Sequence, residues 1–453
     1  MSKKIRKVVL SFALFLIVFF IDSPVFAQSI ETIEAPTGFN ALLSLIPLIV
    51  ILTLLFLKVD MIFAGLAGGL IAMLLIGMGI EQANSELMSA IPTMLTITVP
   101  IINSAVAMAV FHSGGYSAAL ELAKRGTKGK VEYVSAFIVV LLAAATYMSG
   151  IGGGSAMVIA PLAFAAVGVV PELIAGMSLA AAVSFTTSPA SLETSVVSEL
   201  GGVPVGEYVS TMRPYWLFFV VIAVLLAFFG TKRRNVGFKK DENNEFEEME
   251  SGRLFIMTLP AIFLLFAVVF GPVINGWIGF GLFNPLVYTV VTLFLIFLCT
   301  KFSLNETGAA MIDGSSYILT RLFQVGIFLT FINIMAQTGV FTLIANITNL
   351  APNAIVVPVA VLAGILIGIP AGAYVGSILT LILPVVITLG FSPLAIGMVT
   401  MGVGLGSQMS FVNITMQALS SGFHLPILDI VKGNIKWIGA ASVLLIIVSF
   451  IFA

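Results

Sequence analysis

Most of this chain consists of apolar runs long enough to cross a lipid bilayer, and four of these runs are interrupted by clusters of glycine, serine and threonine. The hydrocarbon core offers no water to an open peptide group, so irregular backbone survives there only where it is buried in protein or lines a polar cavity. The interruptions therefore predict a polar centre at membrane depth. They are SGIGGGS at 149–155, SFTTSPAS at 184–191, GIPAGAYVGS at 368–377 and GLGSQMSFVN at 404–413.

The composition excludes a soluble globular protein. Of the 453 residues, 59% are hydrophobic and 9% are charged, whereas about a quarter of a soluble domain is charged; the mean hydropathy is +1.16. We therefore predict an all-α polytopic membrane protein, with the lipid bilayer as its partner. The net charge of −1 gives no sign of nucleic-acid binding, and one cysteine and two histidines argue against a disulfide framework or a metal site. No cofactor is expected.

Residues 1–27 have the form of a signal sequence. Four basic residues precede an apolar run from Val8 to Phe20, and Val25-Phe26-Ala27 has small residues at the spacing of a cleavage site. The alternative is an uncleaved first membrane helix. In either case the next membrane segment starts from the outer side.

The lysine and arginine residues predict the topology, because cytoplasmic loops carry the excess of basic residues. The first predicted spans are 38–57, 61–79 and 91–111. Basic clusters at 124–130 and 232–240 both belong in the cytoplasm, and the apolar stretches between them are 133–170, 173–200 and 210–230. These three stretches satisfy the rule if the first is a re-entrant hairpin that opens to the cytoplasm.

A charged linker at residues 231–252 divides the chain into an N-terminal repeat at 37–230 and a C-terminal repeat at 253–453. The second half has the same order of segments, at 254–273, 282–300, 315–337, 352–390, 392–419 and 434–453. Because it begins on the cytoplasmic side with three spans, its hairpin must open outward and the C-terminus is predicted outside. Of the basic residues after Ala27, only Arg213 then lies on the outer side.

The two halves also match in sequence at an almost constant offset. Ser188-Pro189-Ala190-Ser191, Gly202, Glu207 and Trp216 match Ser410-Phe411-Val412-Asn413, Gly422, Asp429 and Trp437. A shared sequence in opposite orientations is an inverted repeat. Transporters built in this way bind their substrate near the membrane midplane, where broken helices of both repeats meet.

The interruptions supply the candidate binding residues. A half-helix that ends at membrane depth exposes N–H groups and the positive end of its dipole, which attract anions, while hydroxyl groups can donate to a carboxylate or coordinate sodium. The candidate substrate-binding residues are Gly152, Gly153, Gly154, Ser155, Thr187, Ser188, Ser191, Gly372, Ser377, Ser407, Ser410 and Asn413. For any single one of them, close packing of helices is the alternative role.

The candidates for a coupling ion, Na⁺ or H⁺, are Glu193, Thr186 and Gln408. Glu193 is the acidic residue that this topology places near the membrane centre. A lone carboxylate at that depth is costly and marks a functional site by default, most simply a proton carrier. The alternative is a structural carboxylate that hydrogen-bonds the broken helix.

Two stretches carry a family likeness: Ser113-Gly114 through Ser188–Ser191 to Arg213-Pro214, and Gly406-Ser407-Gln408-Met409-Ser410 to Lys432. In these stretches, and over most of its length after residue 40, the chain resembles the ion transporter superfamily, most of all its anaerobic C4-dicarboxylate carrier branch. The resemblance implies carboxylate transport driven by sodium, protons or exchange, in a homodimer whose hairpin-bearing domain slides against a scaffold. The corresponding binding residues are Gly152–Ser155, Gly372–Ser377, Thr187–Ser191 and Ser407–Asn413.

These observations lead us to expect a secondary transporter of small organic anions in a bacterial-type cytoplasmic membrane, and not an enzyme. Two alternatives remain open. A sodium/proton antiporter of the same superfamily would use Glu193 as its exchange site and would need no organic substrate. An intramembrane enzyme or an assembly protein would need a catalytic pair at membrane depth and would leave the matched interruptions unexplained.

Overall fold

The computed structural model describes residues 34–57, 59–95, 98–127, 130–189, 191–237, 246, 248–346, 352, 355–370, 372 and 375–453. Every long regular element in these ranges is a helix. The predicted signal sequence at 1–27 and part of the predicted linker at 231–252 lie outside the described residues.

The helices follow the order of the predicted apolar segments. Before the linker they are α1 (Gly38–Phe56), α2 (Met61–Ile76), α3 (Ile80–Leu95), α4 (Thr98–His112), α5 (Gly115–Thr127), α6 (Val131–Ser149), α7 (Gly152–Val167), α8 (Pro171–Phe185), α9 (Leu192–Gly201) and α10 (Val205–Arg233). After it they are α11 (Ser251–Ile278), α12 (Pro285–Cys299), α13 (Leu304–Ala336), α14 (Val340–Ala345), α15 (Val356–Gly368), α16 (Val375–Thr388), α17 (Pro393–Ser407), α18 (Ile414–Gly422) and α19 (Ile427–Phe452).

Within the described part of the chain, α1, α10 and α19 are long and apolar enough to cross a membrane by length and composition, and other helices contain shorter apolar stretches. The chain is therefore an α-helical membrane protein. The third predicted span, 91–111, covers the end of α3 and most of α4, and residues 96 and 97 between these helices lie outside the described residues.

The chain forms two compact units, and each contains segments from both sides of the linker. The first consists of Met1–Thr96 with Leu322–Ile347, and the second of Ile97–Arg321 with Thr348–Ala453. In the first unit, α2 lies close against α13: a Cβ built on Gly69 would lie 2.5 Å from the Phe331 ring. Small residues on α2 therefore make the close approach of these two helices possible.

The second unit contains two groups of three mutually packed helices, α6 with α8 and α10, and α15 with α17 and α19. The short helices connect these groups crosswise, since α7 packs against α18 and α16 packs against α9. Backbone contact is especially close between α15 and α17, where a Cβ on Gly368 would lie 2.5 Å from the Val403 carbonyl oxygen. All four interrupted segments belong to this unit.

Candidate functional site

The first link, residues 149–155, joins α6 to α7. Gly150 has a φ of 72° and its N–H donates to the Thr146 carbonyl over 2.8 Å, a left-handed helix end that glycine adopts without a Cβ clash. The helix α7 then begins with three buried glycines at 152–154, and the side chain of its N-cap residue, Ile151, makes no capping hydrogen bond. A buried helix start without a side-chain cap offers its N–H groups to a ligand.

The first break, residues 184–191, joins α8 to α9. Ser191 caps α9, because its Oγ accepts a hydrogen bond from the Thr194 N–H at 3.1 Å. The Ser188 hydroxyl donates to the carbonyl of Tyr147, 41 residues away in the sequence, over 2.6 Å. This hydrogen bond ties the break to the last turn of α6, just before the first link.

The end of α8 is held by buried hydroxyl groups. Thr186 donates to the Ala182 carbonyl over 2.8 Å, and Thr187 donates to the Val183 carbonyl over 2.7 Å. The carbonyl of Thr186 accepts a 2.8 Å hydrogen bond from the hydroxyl of Tyr208, a fully buried side chain of α10. A carbonyl freed by the break is thus paired inside the protein, as buried backbone groups require.

The second break, residues 404–413, is organised by Asn413. Its Oδ1 accepts a hydrogen bond from the Met416 N–H at 3.1 Å and so caps α18. Its Nδ2 donates to the Ser407 hydroxyl oxygen over 3.1 Å and to the Gly372 carbonyl over 3.2 Å. One side chain therefore caps a helix, bridges its own break and holds the second link.

Gln408 in the same break has a fully buried side chain. Its Nε2 donates to the Ser407 hydroxyl oxygen over 3.0 Å, and Ser407 in turn donates to the Gly404 carbonyl over 2.7 Å. The Gln408 Oε1 is buried and accepts no hydrogen bond from the described residues. A buried acceptor of this kind can take a cation or a proton donor, and leaving it unpaired is costly.

The second link, residues 368–377, lies against the second break. A Cβ built on Gly372 would lie 2.5 Å from the Ser410 Cβ and 2.8 Å from its Oγ, so only glycine fits there without a shift. Ser377 was predicted to bind substrate, but its side chain is not among those that the structure describes. Residues 371, 373 and 374 also lie outside the described residues.

Each link contacts both breaks or the helices that leave them. In the first link, a Cβ on Gly152 would lie 3.0 Å from the Phe185 ring at the end of α8 and 3.2 Å from the Thr415 hydroxyl of α18. The second link touches Ser410, and a Cβ on Gly376, at the start of α16, would lie 3.0 Å from Leu192 at the start of α9. The four interrupted segments therefore form one buried centre.

Four hydroxyl groups of this centre act as hydrogen-bond donors to the main chain. Those of Thr186, Thr187, Ser188 and Ser407 all donate their protons to main-chain carbonyls. A hydroxyl oxygen that donates its proton keeps two lone pairs, with which it can accept hydrogen bonds or coordinate a cation; those of Ser407 already accept from Gln408 and Asn413. Donors for an anion are instead the N–H groups at the helix starts, where the helix dipoles are positive.

Glu193 lies in the first turn of α9, two residues after the Ser191 cap, and it is half-buried. The positive end of the helix stabilises a carboxylate at this position. The adjacent Leu192 contacts the second link.

Other polar residues line the same region and were not singled out by the interruptions. The buried oxygen atoms of Thr146, Gln417 and Asn434 have no hydrogen-bond partner within the described part of the chain. Asn434 donates through Nδ2 to Ser178 of α8 over 2.7 Å. Amide side chains within apolar helices are a signal that could have identified Gln417 and Asn434, whereas nothing in the local sequence singles out Thr146.

The structure brings together the predicted residues of the first link, the first break, the second break and Gly372. Comparison with models of known families and with curated proteins finds no match for this chain. The chemistry of the site must therefore be inferred from its geometry.

Proposed function

We propose that the protein is a secondary transporter of small organic anions, of the di- and tricarboxylate type, coupled to Na⁺ or H⁺. The observation that carries this proposal is the contact of each link with the two breaks, or with the helices that leave them, in one buried centre. Membrane proteins place open backbone at depth where it lines a binding cavity, and matched broken helices are typical of secondary transporters.

The two halves of the second unit are, in this proposal, inverted repeats whose links are the tips of re-entrant hairpins. The equivalent packing of α6, α8 and α10 and of α15, α17 and α19 supports this proposal, as does the crosswise packing of α7 and α16. The 13 residues of α15 extend about 20 Å, which is less than the roughly 30 Å of the hydrocarbon core. Such a helix is suited to a hairpin that enters and leaves on one side.

The substrate carboxylates are assigned to the helix starts. The N-termini of α7, α9, α16 and α18 lie at the links and breaks, so four positive dipole ends are available without a lysine or arginine. The uncapped glycines at 152–154 supply N–H donors, and a backbone without side chains lets an anion approach closely.

The coupling ion is assigned to the oxygen atoms and to Glu193. Sodium takes oxygen ligands, and the Gln408 Oε1 together with hydroxyl oxygens such as those of Thr186 and Thr187 are acceptors in this centre. If the ion is a proton, the half-buried carboxylate of Glu193 is its carrier.

Transport is proposed to follow an elevator mechanism in a homodimer, in which the second unit moves with its ligand. All the predicted binding residues belong to that one unit, and each unit combines segments of both sequence halves. A site contained in one unit can be carried across the membrane without being taken apart.

The proposed membrane is a bacterial-type cytoplasmic membrane, with the C-terminus outside. Two ion pairs support the relative orientation of the helices. The His112 Nε2 lies 3.5 Å from the Asp313 Oδ2, and the Arg234 Nε lies 2.6 Å from the Glu172 Oε2. The topology predicted from basic residues puts all four of these groups on the cytoplasmic side.

A sodium/proton antiporter is the second candidate function. It is favoured by the carboxyl group of Glu193 directly after the first break and by hydroxyl groups that donate to main-chain carbonyls and keep oxygen lone pairs. The buried start of α7, which has no acidic residue in its first turn, favours the anion transporter, because an antiporter has no need of anion donors.

Thermal stabilisation of the purified protein by organic acids tests the proposal, since a ligand that binds only the folded state raises its stability. Each acid of a panel of mono-, di- and tricarboxylates is tested with sodium, with potassium and at two pH values. We expect a rise in melting temperature with one di- or tricarboxylate that depends on sodium or on pH. A response to sodium and pH without a response to any acid would reject the anion transporter in favour of the antiporter.

A further inference from the structure

An apolar groove of about 500 Å³ opens between α8, α10 and α19, and no residue of the links or breaks lines it. Its walls include Leu179 of α8, Leu226 and Phe229 of α10, and Ala440 and Leu444 of α19. Its volume lies within the range of small-molecule sites. Because α10 and α19 are helices that can span the membrane, lipid chains are the molecules that reach this groove.

The length of the groove corresponds to one leaflet. Its lining residues on α10 run from Ile222 to Arg233, which is about 16 Å of helix, or half of the roughly 30 Å hydrocarbon core. Glu172, near the start of α8, and Arg233, the last residue of α10, also line it. The groove thus has a charged end at the membrane surface and an apolar end near the midplane.

The charged end of the groove contains a guanidinium group, that of Arg233, in addition to the one that pairs with Glu172. The carboxylate of Glu172 is already engaged by Arg234, through hydrogen bonds of 2.6 and 2.8 Å. Arg233 makes no ion pair with any described residue and is exposed. Lys436 lies 4.9 Å from the ring centroid of Trp437, which also lines the groove. Positive charge and an aromatic ring therefore flank the mouth.

We propose that this groove binds an anionic phospholipid of the leaflet in which α10 ends. One acyl chain lies along Leu226, Phe229 and Leu444, and the phosphate is held by Arg233. A guanidinium group binds phosphate through paired hydrogen bonds, and tryptophan is favoured at the level of the head groups. Basic pockets between membrane helices recognise anionic head groups for the same reason.

Native mass spectrometry of the delipidated protein, titrated with phosphatidylglycerol or phosphatidylcholine, tests this assignment. Arg233→Gln is expected to weaken phosphatidylglycerol binding about tenfold or more, the effect of losing a hydrogen bond to a charged group. Phosphatidylcholine carries the same phosphate beside a choline cation that Arg233 repels, so its binding is expected to weaken less. The matched control is Lys232→Gln, which removes the same charge one residue away from a side chain that does not line the groove. Inorganic phosphate should not compete with the lipid.

A second pair of variants tests the apolar part. Ala440→Phe fills the groove and is expected to reduce binding of the same lipid, whereas Val443→Phe, at an exposed position of α19 outside the groove, should not. Equal losses in the two charge variants, or wild-type lipid binding by Ala440→Phe, would overturn the proposal. So would a change of oligomeric state in Ala440→Phe without a change in lipid binding, since the groove would then be a subunit interface.

Discussion

Replacing Asn413 with aspartate separates two roles of this side chain. Aspartate is nearly isosteric and caps a helix as well as asparagine does, so the hydrogen bond from Met416 at 3.1 Å should persist. The Nδ2 donor is lost, and with it the hydrogen bonds to Gly372 and Ser407. The variant therefore releases the second link from the second break while it retains the cap of α18.

The expected loss of stability and affinity in Asn413→Asp follows from the burial of the groups involved. Gly372 and Asn413 are both buried, and leaving a buried carbonyl unpaired costs about 1–3 kcal/mol. If the link must hold this position to bind substrate, the same energy corresponds to a loss of affinity of roughly 5- to 140-fold. The new negative charge beside the helix starts adds repulsion of any carboxylate.

Asn284 offers a matched control. It caps α12 by accepting from the Val287 N–H at 3.1 Å and donates to the Gly281 carbonyl over 2.8 Å. That donor bond is exposed, so water replaces it and Asn284→Asp should change stability by no more than about 0.5 kcal/mol.

The assay is the melting temperature of both variants and of Asn413→Ser, with and without the acid found by the panel. An anion transporter predicts that Asn413→Asp loses stabilisation by the acid and that the neutral Asn413→Ser loses less. An antiporter predicts no response to any acid in the wild type or the variants, and stabilisation by sodium that is maintained or strengthened in Asn413→Asp. If Asn413→Asp has the same melting temperature as Asn284→Asp and binds the acid with wild-type affinity, Asn413 does not hold the second link in place. That result would refute the reasoning.

Three further predictions concern neighbouring residues. Gly372→Ala should cost about 1–3 kcal/mol of stability and abolish uptake in proteoliposomes, because its Cβ would meet Ser410 at 2.5 Å, whereas Gly439→Ala has open space and should be tolerated; normal uptake by the first variant would remove Gly372 from the site. Tyr208→Phe should lower thermal stability by about 1–3 kcal/mol by leaving a buried carbonyl of the first break unpaired, and unchanged melting would show that this hydrogen bond contributes nothing. Glu193→Gln should flatten the pH dependence of transport, and an unchanged profile would reduce Glu193 to a structural role.

Much of this architecture can be predicted from the sequence. Long apolar runs and a low charge content predict an α-helical membrane protein, because only structures that satisfy their own backbone can enter lipid. The breaks are also local features: Ser191 and Asn413 follow interrupted runs, and residues with short polar side chains cap helices wherever they occur.

The sequence by itself thus determined which residues are helical, where the helices are interrupted and which side chains are polar there. Only the tertiary structure decided what those side chains meet: the carbonyl of Tyr147 for Ser188, that of Gly372 for Asn413, and that of Thr186 for Tyr208. The first two pairs are each separated by 41 residues. The physical reason is that capping depends on neighbours within one turn, whereas the partner of a buried donor is selected by how distant helices pack.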